Sequence, residues 1–261
     1  MDDDRDERRA GAELSVHALS VAAVPHTDYR PLSDFPEALL PRARRVAEGH
    51  GIPLEHLLVV NPQDAAEAGT PDASVRALAA LGPPSADETL LLVRSGPLRD
   101  AKVAALAGLV HAFDWPGDDL GVTHLDELGG VLALDLPRWA LDEGARASTL
   151  ICDEPLFADA RLAMAWFTTV GLRVVRGPGP LTFRGCGEGP PPDDGRRGLG
   201  GTRYLTGRAP CDVWLALRGL LHRGQFSPGD GALLHTRGPR REGWLRLEVT
   251  DPGGVYLPEP C

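Results

Sequence analysis

The amino-acid sequence predicts a layered α/β fold for this chain of 261 residues. Apolar segments of strand length alternate with segments whose apolar residues recur at helical spacing. Several of the strand segments are continuous apolar runs, which are typical of strands that helices cover on both faces of a sheet. The length is sufficient for one large domain or for two fused halves around a buried core.

Seven strands are predicted in the first three-quarters of the chain. The clearest is 87–96, where the run "TLLLV" leaves no polar face. The others are shorter or less regular, and the full set is 14–25, 56–60, 87–96, 119–125, 147–155, 167–177 and 181–185. Because helices separate most of these strands, the pattern indicates a layered α/β fold.

Four helices are predicted between these strands. Glycine marks the end of the helices at 34–53, 70–82 and 129–145, and Pro137 is expected to kink or break the last of these. The four helices are predicted at 34–53, 70–82, 98–114 and 129–145.

Composition changes after these elements and indicates the domain organisation. Residues 1–12 are a charged segment predicted to be disordered, and 13–188 form a first half. A Gly/Pro-rich loop at 189–201 leads into a second half at 202–261, with a helix from Cys211 and two closing strands. No internal repeat is visible by eye.

Bulk properties exclude several classes of function. The formal net charge of −10 argues against a nucleic-acid or anionic-membrane surface. No apolar run approaches the length of a membrane span, and the charged start lacks a signal-peptide core, so we expect a cytoplasmic protein. The four cysteines form no CxxC pair, so neither a zinc site nor a disulfide framework is expected, and the sequence predicts no metal or cofactor.

Four segments, in this order, resemble β-ketoacyl-acyl-carrier-protein synthases of type III, in the thiolase superfamily. "TPDASVRALAALG…ADETLLLVRSG" resembles the helix and strand before the family's nucleophile. "GVTHLDELGGVLALDLPRWALDEGARASTLI" is similar to the nucleophile loop, its helix and the next strand. "FTTVGLRVV" and "LRGLLHRGQFSPGDGALLHTRGPRREGWLRLEV" resemble later family segments, the second with its "PGD" turn. The resemblance implies a thiolase-like layered α/β/α fold with a shortened C-terminal half.

The departures from the family pattern concern its chemistry. The family's nucleophilic cysteine corresponds to Glu127, and its asparagine falls closest to Gly207. No segment matches its histidine, and "HTRGPRREG" replaces its glycine-rich loop. A carboxylate is a poor substitute for the thiolate, because an acyl-carboxylate is an anhydride that water destroys quickly. The missing His and Asn remove the donors that hold the thioester oxygen.

The resemblance therefore implies a non-catalytic, ketosynthase III-like subunit, a pseudoenzyme that pairs with an active ketosynthase or acyltransferase as a heterodimer or heterotetramer. Such subunits occur in secondary metabolism, in polyketide or fatty-acyl biosynthesis. Acyl carrier protein or acyl-CoA is a further expected partner. Two alternatives remain open: a self-sufficient acyltransferase or decarboxylase with a rearranged site around His124, Asp126 and Glu127, and a non-catalytic scaffold that binds acyl carriers.

Two groups of residues are the candidates for contact with a partner or a substrate. The first lies at the end of the predicted strand at 119–125 and just after it, and comprises His124, Asp126, Glu127, Leu128 and Gly129. Glu127 caps its helix, binds a partner's arginine or mimics an acylated cysteine, and an alignment offset of one residue places Asp126 or Leu128 there instead. The second is Arg237, Arg240 and Arg241, which form a solvated turn or receive an acidic carrier and its phosphate.

Overall fold

A nine-stranded mixed sheet runs through the part of the chain that the computed structural model describes, which is 13–26, 29–60, 72–96, 105–161, 165–192 and 201–260. The predicted tail 1–12 and Cys261 lie outside these residues. The strands, including three in a separate small sheet, are β1 Leu14–His26, β2 Tyr29–Pro31, β3 Leu57–Val60, β4 Thr89–Arg94, β5 Asp119–Val122, β6 Arg146–Asp153, β7 Phe157–Asp159, β8 Ala165–Arg176, β9 Leu181–Glu188, β10 Arg203–Gly207, β11 Asp230–Arg237 and β12 Glu242–Val249. The helices are α1 Leu40–His50, α2 Ala73–Ala80, α3 Ala105–Phe113, α4 Gly129–Leu132, α5 Asp135–Ala140 and α6 Asp212–His222.

The strand order of the large sheet shows that its two halves share one topology. The order is β10-β11-β12-β9-β1-β8-β6-β4-β5. In the first half β4 is parallel to β5 and β6, whereas β8 is antiparallel to both β6 and β1. In the second half β10 and β11 are parallel, and β12 is antiparallel to both β11 and β9. The halves meet at β1 and β9, and the described residues of the second half contain no counterpart of β5.

Helices pack on both faces of the first half of the sheet, which confirms the predicted α/β/α layers. One core joins α4 and α6 to strands of both halves and contains Leu128, Val131, Trp214 and Leu245. Trp214 is fully buried, and its indole Nε1 donates to the carbonyl of Gly130 at 2.6 Å. A second core lies under α2 and α3 and contains Leu78, Leu90, Leu109 and Trp115.

The nucleophile-loop helix predicted at 129–145 is divided differently from the prediction. Its break lies at Ala133 and Leu134, and Pro137 falls in the first turn of α5. Proline has no N–H to donate to the carbonyl of Ala133, four residues earlier, yet it is well tolerated near a helix start. The helix also ends at Ala140, and Gly144 belongs to a turn with a φ of 77°.

Strand β10 was not predicted, and β9 is longer than predicted. The segment "RYLTG" of β10 has a single buried residue, Leu205, so its sequence lacks the apolar run that indicates a strand. β9 continues through Gly185–Glu188, where the sequence composition indicated a loop, and pairs with β12 across a β-bulge. His111 is exposed on α3.

A small sheet, β2-β3-β7, forms a separate unit together with α1. Its core includes Ala43, Ala47 and Leu57, with Phe157 packed against them. Among the described residues no helix is long and apolar enough to cross a membrane.

Candidate functional site

A cavity of about 990 Å³ lies where the carboxyl ends of β4, β5 and β6 meet the small sheet. The ends of parallel strands share one edge of a sheet, which is where α/β folds commonly bind ligands. Ser95 follows β4, Asp153 ends β6, and His124 and Asp126 follow β5. A backbone hydrogen bond joins the loops that follow β4 and β5, in which the amide of Asp126 donates to the carbonyl of Ser95 at 2.8 Å.

Glu127 lies at the inner end of this cavity, beneath the turn between β11 and β12. Its side chain is 7% exposed, and its Oε2 accepts a hydrogen bond from the backbone N–H of Arg241 at 3.2 Å. The turn approaches so closely that a Cβ on Gly238 would lie 2.1 Å from Cγ of Glu127. The carboxylate is therefore held against the chain's own backbone rather than presented freely to a ligand.

Asp126 and His124 occupy the cavity wall in strained backbone conformations. Their φ angles are 48° and 63°, in the left-handed region that non-glycine residues seldom adopt. Asp126 Oδ1 accepts from Nη1 of Arg240 at 3.3 Å, and His124 Nδ1 shares a hydrogen bond with Thr123 Oγ1 at 2.8 Å. Left-handed residues persist only where surrounding contacts hold them, and such residues cluster at functional sites.

Leu128 and Gly129, predicted with the same group, are buried in the core instead of facing the cavity. Leu128 is fully buried, and a Cβ on Gly243 would lie 2.5 Å from its Cδ2. Gly129 faces Val93 and Pro210 at van der Waals distance. Gly207, which the resemblance puts closest to the family's asparagine, ends β10 beside Asp212, whose Oδ2 accepts hydrogen bonds from the backbone N–H groups of Arg208 and Ala209 at 2.9 Å each.

Asp153 is the cavity residue with the most altered acidity. Loss of solvent, followed by the charges of Asp212 and Glu154, raises the pKa of its carboxyl to about 7. A hydrogen bond from Ser95 opposes the shift, and Glu127 adds to it. The site therefore holds a carboxyl group that changes charge near neutral pH.

Four arginines, Arg42, Arg45, Arg208 and Arg240, surround the mouth and are called the arginine rim below. Arg42, Arg208 and Arg240 line the main cavity, and Arg42, Arg45 and Arg240 line an adjoining recess of about 540 Å³. Partial loss of solvent, together with the charge of Arg240, lowers the pKa of His50 among them. Of the three arginines predicted for carrier binding, Arg240 joins the rim, Arg241 pairs with Glu188 at 3.1 Å, and Arg237 is exposed at the end of β11.

Part of the cavity wall is apolar. It is formed by α1 and the small sheet with the residues beside them, and Trp166, which is 50% exposed, also lines the cavity. Its apolar residues are Val46, Ile52, Leu58, Leu156, Phe157 and Ala158. The cavity thus combines an apolar wall with the arginine rim and with a set of carboxyl groups, called the cavity floor below. These are Asp126, Glu127, Asp153, Glu154 and Asp159.

The described cysteines take no part in this site. Cys152 and Cys211 are buried, and burial raises the pKa of the Cys152 thiol to about 12 and that of Cys211 well above its ordinary value. Burial, helped by Asp135, also raises the pKa of Cys186 to about 12. In the described ranges no group of three or more His, Cys, Asp and Glu side chains has the arrangement of a metal site.

Sequence reasoning identified Glu127, Asp126, His124 and Arg240 but missed Asp153 and the rest of the rim. Arg42 lies in a helix and Arg208 in a loop more than 160 residues later, so no local motif links them. Asp153 lies near the end of the strand predicted at 147–155, and no motif around it in the sequence indicates a functional role.

Solved structures resemble this chain in fold. No family model matches the chain, and no curated protein matches it. ChlB3, described as an acyltransferase, matches with a TM-score of 0.59 and 14% identity, over 93% of this chain and 99% of that chain. OleA from Xanthomonas campestris matches with a TM-score of 0.55 and 10% identity, over 90% and 98%. The HMG synthase of the curacin pathway, solved with its holo donor acyl carrier protein, matches with a TM-score of 0.51 and 12% identity, over 93% and 82%. These similarities confirm the thiolase-like fold.

Proposed function

We propose that this chain is a ketosynthase III-like subunit that carries no acyl nucleophile, binds an acyl carrier or acyl-CoA at its arginine rim, and pairs with an active ketosynthase subunit in secondary-metabolite biosynthesis. The observation that carries the proposal is Glu127. The family resemblance puts its carboxylate in the place of the nucleophile, and the β11–β12 turn covers it through Arg241 and Gly238. Because residue 127 is a glutamate, this position offers no thiol for acyl transfer.

The state of the cysteines supports the absence of an acyl-enzyme in this chain. The thiolate is the nucleophilic form of cysteine, and a thiol pKa near 12 leaves about one part in 10⁵ ionised at pH 7. None of the three described thiols lines the cavity. A bound thioester would therefore find carboxyl groups and backbone, and no reactive sulfur, among the described residues.

The arginine rim supports binding of a phosphate-bearing acyl donor. Arginine pairs with phosphate through charge-assisted, often bidentate, hydrogen bonds. The rim lies at the entrance of a cavity whose apolar wall suits an acyl chain, in a chain with a net charge of −10. Coenzyme A and the phosphopantetheine arm of a carrier protein share this chemistry. The curacin HMG synthase, similar in fold, was solved with a carrier protein.

The open edge of the large sheet supports association with a second subunit. β5 is the last strand on its side, and Asp119, Leu120 and Gly121 are exposed along it. An edge strand presents unpaired backbone donors and acceptors to another chain. The neighbouring α3 is apolar, and its Ala107 and Ala112 are exposed, so apolar surface continues beyond the strand.

Co-expression with a full-length ketosynthase III-like protein that carries Cys, His and Asn, taken from an adjacent gene if one encodes it, tests the proposal. A 1:1 complex by size exclusion and light scattering is expected, and Leu120→Lys should abolish it. Tyr256→Lys is the matched control, since Tyr256 is also exposed but lies beside β1, away from the β5 edge. In the same tube, acyl-CoA should add acyl mass to the partner alone. An acyl adduct on this chain, or a monomer indifferent to the partner, contradicts the proposal.

A second candidate, a self-sufficient decarboxylase or acyltransferase, draws support from the strained backbone of His124 and Asp126. Both line the cavity, and strain of this kind often accompanies catalysis. Malonyl-CoA incubated with this chain alone discriminates between the two. Release of CO₂ above the buffer rate favours the second candidate, whereas inert substrate favours the first.

A further inference from the structure

Most carboxylates of the cavity are matched by a donor from this chain. Asp126 pairs with Arg240, Glu127 accepts from the amide of Arg241, Glu154 is paired with Arg94 in a buried contact, and Asp159 pairs with Arg161. The hydrogen bonds from Arg161 lower the pKa of Asp159 to about 2. Among the cavity carboxyl groups of the described residues Asp153 is the exception, because the side chain that donates a hydrogen bond to it is the neutral hydroxyl of Ser95.

The groups that face Asp153 disfavour its ionised form. Asp212 at the start of α6, Glu154 beside it in the chain and Glu127 from the β5 loop are the charged groups that act on it. The thiols of Cys152 and Cys211 contribute no cation, and the nearby guanidinium of Arg94 is engaged by Glu154. Asp153 is partly buried, and with these neighbours its pKa rises to about 7. At pH 6 the group is therefore a hydrogen-bond donor.

We propose that Asp153, as a neutral carboxylic acid at the end of β6, donates a hydrogen bond to the carbonyl oxygen of an acyl thioester bound in the cavity. The proposal rests on the proposed function, which supplies the acyl ligand. Glu127 already occupies the backbone N–H of Arg241, so Asp153 is a remaining donor on the cavity floor. Acids kept neutral by their surroundings serve as carbonyl donors in other enzymes.

The opposite possibility, an ionised Asp153 that binds a cationic ligand, is disfavoured by the arginine rim. Arg42, Arg208 and Arg240 line the cavity and are exposed to solvent, so a cation that enters the cavity would meet their positive charges. A ligand with an anionic phosphate and a neutral carbonyl meets attraction at the mouth and a donor at the floor. The chemistry that fits both ends is a phosphate-bearing thioester.

The test compares octanoyl-CoA with S-octyl-CoA, a thioether that lacks the carbonyl oxygen. Both bind the full chain through the same phosphates and alkyl chain, so calorimetric affinities isolate the carbonyl. We expect octanoyl-CoA to be preferred by about tenfold at pH 6, the usual worth of one such hydrogen bond. The preference should vanish by pH 8.5, where Asp153 is ionised. The affinity for S-octyl-CoA controls for other titrating groups such as His50.

Variants of Asp153 sharpen the comparison. Asp153→Asn retains a donor that does not titrate, so its preference should persist from pH 6 to 8.5, whereas Asp153→Ala should show none at either pH. Asp135→Asn, a carboxyl that is paired with Arg138 and does not line the cavity, should behave like the wild type. Equal affinities for the two ligands at pH 6 overturn the role of Asp153 and leave the arginine rim standing. Failure of both ligands to bind overturns the rim as well.

Discussion

Gly238 and Glu127 are in such close contact that a Cβ on the glycine would lie 2.2 Å from Oε1 of the carboxylate. The φ of Gly238 is not in the left-handed region, so this contact, rather than backbone freedom, explains the glycine. We predict that Gly238→Ala lowers the free energy of unfolding by about 2 kcal/mol through overpacking. Urea denaturation measures the change.

The Glu127→Ala background supplies the control for that prediction. With the side chain truncated, a methyl group on residue 238 has room, so the additional cost of Gly238→Ala should fall below about 0.5 kcal/mol. The resulting coupling exceeds 1 kcal/mol, well above that of non-contacting pairs. Additive effects of the two changes would show that the turn does not rest on Glu127.

The second prediction separates a structural Glu127 from a chemical one. Glu127→Gln keeps an oxygen acceptor for the amide of Arg241, so condensation by the assembled complex should stay within about tenfold of wild type, or about 1.4 kcal/mol of barrier. Glu127→Ala should behave similarly in rate while costing about 1–3 kcal/mol of stability, because the Arg241 amide loses its acceptor. A thousandfold loss in an intact complex would instead support the decarboxylase alternative.

The sequence predicted most elements of the fold because their periodicity is local. The apolar run at Leu90–Val93, which forms most of β4, is an example. Glu127 was predicted as a candidate site residue from the family resemblance. Asp153 was not predictable, because its character depends on Ser95, Asp212 and Glu127, which three separate segments bring together. β10 was missed because its partner β11, rather than its own composition, makes it a strand.

The third prediction concerns thiol reactivity. In a Cys261→Ser background, iodoacetamide at pH 7.5 should modify Cys152, Cys186 and Cys211 at least a hundredfold more slowly than an unstructured cysteine. Burial and raised pKa values leave little thiolate at each of them. Mass spectrometry of the intact chain follows the reaction, and denaturation in urea should release all three. Rapid labelling of one thiol in the native chain would identify a nucleophile that the structure does not indicate.

The fourth prediction follows from the sign of the Asp153 shift. A carboxyl in the unfolded chain loses its proton near pH 4, whereas the folded pKa is about 7, so the folded state binds more protons across that interval. Stability should therefore decrease as the pH rises from about 4 to 7 and level off above it. Asp153→Asn removes this dependence, so at pH 8.5 the variant should be more stable than wild type, by on the order of 2 kcal/mol.

Thermal and urea unfolding at pH 6 and pH 8.5 measure that difference. Asp159→Asn is the matched control, because its hydrogen bonds with Arg161 hold the pKa of Asp159 at about 2 and the group is ionised at both pH values. Its stability relative to wild type should therefore be the same at pH 6 and pH 8.5. If Asp153→Asn also gives the same difference at both, Asp153 ionises normally in the folded chain. The carbonyl donor would then be absent at neutral pH, and the cavity floor would carry a full negative charge.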